Sequence, residues 1–328
     1  MNYRLLGKTG FKVSEIGLGT WQVGGTWGQP FDADLAERTL LAAIDRGVNF
    51  IDTADVYSGQ QSEKVVGKVV KARREQLFIA TKVGRRLNPH DSAGYNPANI
   101  RRFVDEALHN TGLETLDLVQ LHCPPTPVYA KADVFGELAK LQQEGKIRHF
   151  GASVEKVEEA LQVLQYEGLA TIQIIFNMFR QKPIEAFFPA AQKNNIGVIV
   201  RVPLASGLLT GKINRETQFD AKDHRLFNRN GEAFDKGETF SGVDFETGLT
   251  AVEELKAYFP AEPGLAASAL RWCLMFDAVS TVIPGASRPE QAVRNTQASA
   301  LPPLSAEQMA VVAEVYGRLI KPLVHEHW

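Results

Sequence analysis

Short apolar runs alternate along this chain with longer amphipathic stretches. The apolar runs are brief, rich in β-branched residues and bounded by Gly, Asp or Pro, which is how buried strands read. Eight of them stand out, at 16–18, 48–52, 77–83, 116–122, 147–153, 172–176, 198–203 and 279–284. Most begin about 25 to 40 residues apart, room for a strand, a helix and two loops. The stretches between them carry apolar residues at helical spacing. One runs over 34–46 with Leu35, Leu40, Leu41 and Ile44. Another is opened by Pro97, suited to a first helical turn, and continues through Ile100, Phe103, Val104, Ala107 and Leu108. Stretches 131–144 and 154–166 follow the same rule. Strands separated by helices must pair in parallel. Eight such units predict a closed (β/α)8 TIM barrel, with an open doubly wound sheet as the alternative.

Two places break the alternation. Segments 3–6 and 11–13 flank a Gly-Lys-Thr-Gly turn and read as an N-terminal β-hairpin that plugs the barrel floor. Between the seventh and eighth strands, 211–243 is rich in Gly, Asn, Asp and Lys. It is too long for a passive connection and is expected to be a lid or disordered. Nothing resembling a linker divides the chain, so one domain spanning 1–328 is expected.

Composition narrows the partners. Of 328 residues, 44% are hydrophobic and 23% charged, with a net charge of -2. That leaves no electrostatic case for nucleic acid or an anionic membrane. Two cysteines, Cys123 and Cys273, cannot build a disulfide framework and fit a reducing compartment. No signal-peptide core or membrane-length apolar run is seen, so a cytoplasmic location is expected. His325 and His327 sit in a terminal HEHW that reads as a loose end rather than a ligand set. No metal is expected, and nothing in the sequence encodes an oligomeric state.

Barrel chemistry gathers at the C-terminal ends of the strands. There the sequence sets Asp52, Lys82, His122 and Ser153, with Gln173 inside the sixth strand and Tyr57 in the loop after Asp52. A buried ammonium at Lys82 needs a partner, and Asp52 is one strand away. The plain alternative is a rim salt bridge beside a surface tyrosine. Together, however, the four can move a proton. A free phenol has a pKa of about 10, and a neighbouring ammonium is expected to lower it. Asp52 would keep Lys82 charged, and His122 would hold a substrate oxygen. Cys123, followed by Pro124 and Pro125, reads as a small packed residue rather than a reactive thiol.

These residues lie in motifs that resemble the aldo-keto reductase family. The stretch GVNFIDTADVYSGQQSEKVVGK is similar to that family's active-site signature. IATKVG around Lys82, VQLHCP around His122, GKIRHFGAS before Ser153 and VIPGASRPEQAVRN follow in the family's order. The opening RLLGKTGFKVSEIGLGTW also fits, so the likeness runs over about 3–298. PLASGLLTGK resembles bacterial members and potassium-channel β subunits. The resemblance implies NADPH-dependent reduction of an aldehyde or ketone, with NADH possible and no metal. It implies Tyr57 as proton donor, tuned by Lys82 and Asp52, with His122 orienting the substrate. It implies cofactor contacts at Gly19, Thr20, Trp21, Asp52, Ser153 and Gln173. On the loop after the seventh strand it implies Pro203, Leu204, Ser206, Gly207, Lys212 and Arg225. Near the end it implies Gly285, Ser287, Arg288, Gln291 and Asn295, where backbone donors at a helix start and a guanidinium suit a phosphate. Trp21 and Trp27 would line the substrate pocket with Tyr57 and His122; Phe179 is a weaker candidate, and Arg85 and Arg86 read as solvated by default. Gly17-Leu18-Gly19 is no Rossmann fingerprint, because the spacing is wrong and no helix follows.

One position departs from the family. Where many members stack an aromatic ring on the nicotinamide, this chain has Arg201. Two readings are open: the guanidinium faces the nicotinamide or a substrate anion, or it turns away and pairs with a carboxylate on a neighbouring loop. Two other functions compete with carbonyl reduction: a cofactor-binding regulatory subunit with little or no turnover, and a metal-dependent hydrolase, which lacks ligands beyond His122.

Overall fold

The computed structural model describes residues 1–25 and 28–328. An antiparallel hairpin, β1 (Tyr3–Leu5) and β2 (Lys12–Ser14), opens the chain. Eight parallel strands follow in sequence order around one sheet. They are β3 (Leu18–Gly19), β4 (Phe50–Asp52), β5 (Phe78–Val83), β6 (Leu116–His122), β7 (Ile147–Ser153), β8 (Leu169–Ile175), β9 (Gly197–Arg201) and β10 (Val279–Val282). The first and last strands meet. Gly17 N–H donates to Val282 O at 2.8 Å and Gly19 N–H to Pro284 O at 3.1 Å, closing the barrel. The open doubly wound alternative is thereby excluded.

The helices form because their ends are sealed and one face is apolar. Asp32 caps Ala33–Ile44 by accepting from Leu35 N–H. Asn96 caps Pro97–Thr111, which ends on Gly112 in the left-handed region at φ 63°, where glycine carries no Cβ penalty. The helix expected over 154–166 is shorter, Val157–Val163. The sixth barrel strand, β8, expected over 172–176, starts earlier, at Leu169, since Ala170 and Thr171 are buried with it.

Inside the barrel the two-residue period of each strand sorts polar from apolar by height. One face of β5 reads Phe78, Ala80, Lys82 from bottom to top; β6 reads Leu118, Gln120, His122; β4 reads Phe50, Asp52; β9 reads Ile199, Arg201. The lower members form one cluster with Leu6, Val13 and Ile283, so the hairpin does plug the floor. Phe11 completes it by stacking on Phe78 at 4.3 Å. Apolar residues below leave the polar ones above as a single layer at the strand ends.

The stretch 211–243 is folded. It holds a helical turn at His224–Phe227 and tight turns at Lys236–Glu238 and Phe240–Gly242. Asn228 supports it from within, bonding the backbone N–H groups of Ala233 and Phe234. Arg229 lies over the rings of Phe219, Phe240 and Phe245. The HEHW tail is not a loose end either. Trp328 is 8% exposed, its indole N–H donates to Asp235 at 2.8 Å, and its ring faces the Arg180 guanidinium at 4.1 Å. His325 shares a 2.7 Å hydrogen bond with Tyr316. Among the described residues no helix is long and apolar enough to cross a membrane.

The plug depends on two glycines. Gly7 has φ +51°, and a Cβ there would lie 2.1 Å from Gly197 N. A Cβ on Gly197 would lie 2.7 Å from Leu6 Cδ1 and 2.9 Å from Leu6 backbone. Gly197→Ala must push the hairpin off the floor, and urea unfolding should show a loss of about 1–3 kcal/mol, the usual cost of overpacking.

Candidate active site

The polar layer is organised around one buried ammonium. Lys82 is 1% exposed and its Nζ meets three oxygens: Asp52 Oδ1 at 2.5 Å, the Thr53 carbonyl at 2.9 Å and Tyr57 Oη at 3.1 Å. β4 supplies Asp52, β5 supplies Lys82, and a short turn, Tyr57–Gln60, presents the phenol. Ser58, Gly59 and Gln60 all take positive φ in that turn, which folds the chain back over the strand end. The other Asp52 oxygen accepts from Gln173 Nε2 at 2.8 Å and Gln120 Nε2 at 3.4 Å. Both oxygens of the carboxylate are therefore satisfied.

Electrostatics follow from burial and this contact set. Burial works against the Lys82 ammonium, yet Asp52 and Tyr57 outweigh it and its pKa stays above the ordinary lysine value. Burial pushes the Asp52 carboxyl up, opposed by Lys82 and the two amides. The sequence argument expected Lys82 to bring Tyr57 below its usual value. The net shift is upward, because desolvation of the phenolate exceeds the pull of the ammonium. Tyr57 is thus a fully protonated phenol at neutral pH, with a cation placed to stabilise the phenolate once the proton leaves.

His122 ends β6 with its ring edge-on to Tyr57, centroids 5.9 Å apart. Burial, then the charges of Arg85, Lys82 and Arg201, hold its pKa well below the usual histidine range, so the imidazole is neutral. Arg85 Nη1 is 3.4 Å from Nε2. A guanidinium only donates, so Nε2 is the accepting nitrogen of that contact. Trp21 stacks towards Tyr57 at 6.2 Å between centroids and lies 4.9 Å from His224.

One cavity of about 1160 Å³ joins these groups to the far end of the barrel rim. Asp52, Tyr57 and His122 line it, with Lys82 just beneath. So does every residue that the resemblance assigns to the cofactor except Ser153, which is fully buried and bonds Gln173 at 3.4 Å. At the distant end Lys212, Arg288 and Arg294 line the cavity and are exposed. Their cationic heads have no ion-pair or hydrogen-bond partner among the described residues. Arg225 also lines the wall, but its guanidinium is committed to both oxygens of Asp223. A long cavity with unpaired cations at one end and amides at the other fits a dinucleotide. Ser287 and Gln291 bond each other, and Asn295 Nδ2 bonds Gly285 O, which stiffens that rim.

Several expectations need correcting. Arg201 is buried and lines the cavity, yet it pairs with Glu155 at 2.7 Å and approaches Glu238 at 3.6 Å. It also donates to the Val154 carbonyl. It pairs with a loop carboxyl, as the second reading has it, while remaining in the cavity wall. Arg85 is not solvated: it pairs with Glu238 and lies over Phe234. Arg86 pairs with Glu106. Phe179 is packed in the core. Trp27 lies outside the described residues. Cys123 is a packed residue whose thiol is pushed up by burial. Its sulfur lies near Glu155 and Glu238, but the Arg201 guanidinium occupies the position a cation would need.

Sequence reasoning missed Gln120, Glu155 and Glu238. Gln120 was accessible, since it falls on the inward register of β6 between Leu118 and His122. Glu155 and Glu238 lie on loops, where no period marks a residue as inward-facing.

The comparisons with known proteins agree with this geometry. A family model described as "Aldo/keto reductase family" matches residues 15–317. The "Aldo-keto reductase YhdN" of Bacillus subtilis is 33% identical over 89% of this chain and 86% of its own. An Escherichia coli "NADH-specific methylglyoxal reductase" is 30% identical over 89% of this chain and 92% of its own. The solved structure of the glycerol dehydrogenase AKR11B4 from Gluconobacter oxydans superposes with a TM-score of 0.76 at 33% identity, covering 97% of this chain and 96% of that one.

Behind the site, Asp55 is 1% exposed and no side chain hydrogen-bonds its carboxyl among the described residues. Burial, then the charge of Glu63, pushes it up to about 7. An unfolded aspartate titrates near pH 4. Between these values the native state keeps a proton that the unfolded chain has released, so this group's contribution is full below pH 4 and is lost as pH rises to about 7. Asp55→Asn should remove up to ~1.4 kcal/mol per pH unit of that decline, read as the difference between wild-type and variant urea unfolding at pH 5 and pH 7.

Proposed function

Since the chain belongs to the aldo/keto reductase family, we propose that it reduces a small aldehyde or ketone to the alcohol, with Tyr57 as general acid and a nicotinamide dinucleotide as cofactor. The observation that carries this reading is the protonated Tyr57 phenol, held 3.1 Å from the Lys82 ammonium in the cavity wall beside His122. When bound, the reduced nicotinamide would supply hydride to the carbonyl carbon.

The chain's own part is to hold the carbonyl and move one proton. A substrate oxygen between Tyr57 and His122 would accept from the phenol. As charge develops on that oxygen the Tyr57 proton crosses to it, and the phenolate left behind is stabilised by Lys82. Asp52 keeps Lys82 charged and aimed, while Gln173 and Gln120 keep Asp52 from turning towards the phenol. The neutral imidazole of His122, with Arg85 beside it, bounds the oxygen site. Asp52, Lys82 and His122 are buried and Tyr57 is half-buried, which limits competing water and strengthens each charge.

Gln173 and Ser153 would hold a carboxamide. Lys212, Arg288 and Arg294 would meet phosphates, which supports NADPH over NADH. The relative that is NADH-specific by name shows why the preference calls for side-by-side binding. Two unpaired cysteines support a reducing compartment, and we assign the protein to the cytoplasm.

Tyr57→Phe should bind NADPH as the wild type does while its turnover on an aldehyde panel falls at least about 100-fold, the usual scale of general-acid loss. Lys82→Met should also cut turnover, and should destabilise the fold by about 3–5 kcal/mol because Asp52 is left buried and unpaired. The measurement is loss of reduced-nicotinamide absorbance with NADPH and NADH in parallel. Tight binding without turnover in the wild type would point instead to the regulatory alternative.

A further inference from the structure

The turn that presents Tyr57 is bracketed by two buried carboxyls. Asp55 lies just before the phenol, and Glu63 lies just after it in the first turn of the helix Gln61–Ala72. They are 1% and 0% exposed. Between them Ser58 and Gln60 take φ of 48° and 73°. Non-glycine residues persist in that region only where the surroundings hold them. Part of the hold is neutral. Asp55 N–H donates to the Lys82 carbonyl, and Tyr57 N–H to the Ala54 carbonyl, both at 3.2 Å. The Thr53 and Ser62 hydroxyls share a 2.9 Å bond, and Ser62 Oγ donates to Thr20 Oγ1 at 2.7 Å.

The two carboxyls are not equally provided for. Glu63 accepts from Thr81 Oγ1 at 2.6 Å and from Asn110 Nδ2 at 2.8 Å. No side chain bonds the Asp55 carboxyl among the described residues. A buried carboxylate short of donors is costly, and the neutral acid is far less so. The negative charge therefore settles on Glu63 and the proton on Asp55. The other titratable or charged groups that act on Asp55 are Arg86 after β5, Glu106 on the helix Pro97–Thr111 and the phenol of Tyr95. Arg86 and Glu106 are already paired with each other, and Lys82 of β5 is committed to Asp52, Thr53 and Tyr57.

We propose that Asp55 is a positioning residue for Tyr57: while protonated it lets the turn lie seated beside Glu63, and once it ionises the two like charges lift the turn and turnover falls. The inference rests on the reading of Tyr57 as the general acid. Two buried anions flanking one turn repel each other in a low dielectric. Relief comes from hydrating Asp55, which requires the turn to move outward. A misplacement of about 1 Å costs on the order of 100-fold in rate. Asp55 does not line the cavity, so its ionisation reaches the reaction through the position of Tyr57. Burial and Glu63 bring its titration up to about 7. Turnover is therefore full in mildly acid solution and declines as pH rises through that value. Tyr57 and Lys82 both titrate above their ordinary ranges, so neither produces a decline there. Glu155, pushed up to about 8 by burial, titrates nearby and is untouched in every variant below.

The test is the pH profile of kcat/KM for an aldehyde at saturating NADPH, from pH 6 to pH 9. Wild type should fall by about tenfold or more, as the contribution of the general acid is lost. Asp55→Asn copies the protonated acid; it should keep the wild-type rate at pH 6 and lose the decline. Glu63→Gln should move the decline to higher pH, because one of the like charges is gone. Should the asparagine variant fail to fold, Glu63→Gln carries the test together with infrared difference spectra of the wild-type holoenzyme. In those spectra the carbonyl stretch of a protonated carboxyl should fade in step with the rate. An unchanged decline in Asp55→Asn would overturn the inference and assign the decline to Glu155. A flat wild-type profile, or a decline left in place by Glu63→Gln, would also overturn it, and in each case carbonyl reduction stands. Absence of turnover at every pH would overturn the functional reading and this inference with it.

Discussion

A lysine ammonium at the centre of a barrel has given up its water, and the surrounding architecture replaces what was lost. Asp52 supplies the counter-charge, Thr53 a carbonyl and Tyr57 a phenol oxygen. Each of the three then needs its own support. Asp52 draws amides from β6 and β8, and Tyr57 requires the positive-φ turn that follows it. Because charges at this depth are costly unless every contact is met, the positions of β4, β5, β6 and β8 are bound to one another through a single nitrogen. The apolar floor contributed by the hairpin is the other half of the same constraint, since it keeps the polar layer confined to the top.

The interior shows how a period of two does chemical work. Strands that carry Phe50, Phe78, Leu118 or Ile199 low in the barrel place Asp52, Lys82, His122 or Arg201 on the same face two or four residues later. This is why so much was readable before any coordinates. The eight strands, the hairpin and the convergence of Asp52, Tyr57, Lys82 and His122 all follow from alternation and position. Apart from Gln120, what escaped lies where alternation is absent. Glu155 and Glu238 are carried by loops and face inward where Arg85 and Arg201 receive them. Their inward orientation is a property of tertiary pairing, so a reading of 211–243 as polar and glycine-rich could say only that it was long. The HEHW tail misled for the same reason: Trp328 is held by Arg180 and Asp235, both distant in sequence. The direction of the Tyr57 shift also depends on depth of burial, which no spacing records.

Arg85, Glu238, Arg201 and Glu155 make an alternating row of charge above Cys123 and His122. Within the row Arg85 and Arg201 hold the Glu238 carboxyl down to about 2, whereas burial, opposed by Arg201, pushes the Glu155 carboxyl up to about 8. The row also explains how a cation can stand where an aromatic ring is usual in the family. The guanidinium is drawn sideways by Glu155, and its plane and charge belong to the row.

One hydroxyl connects the two halves of the cavity. Ser206 sits in the turn that borders the long, cation-lined end, and its Oγ is bonded to the backbone on both sides of Thr239. Lifting that turn either breaks both bonds or carries Glu238 away from Arg85 and Arg201. The turn bordering the cation-lined end and the wall at the reactive end are therefore coupled through one side chain.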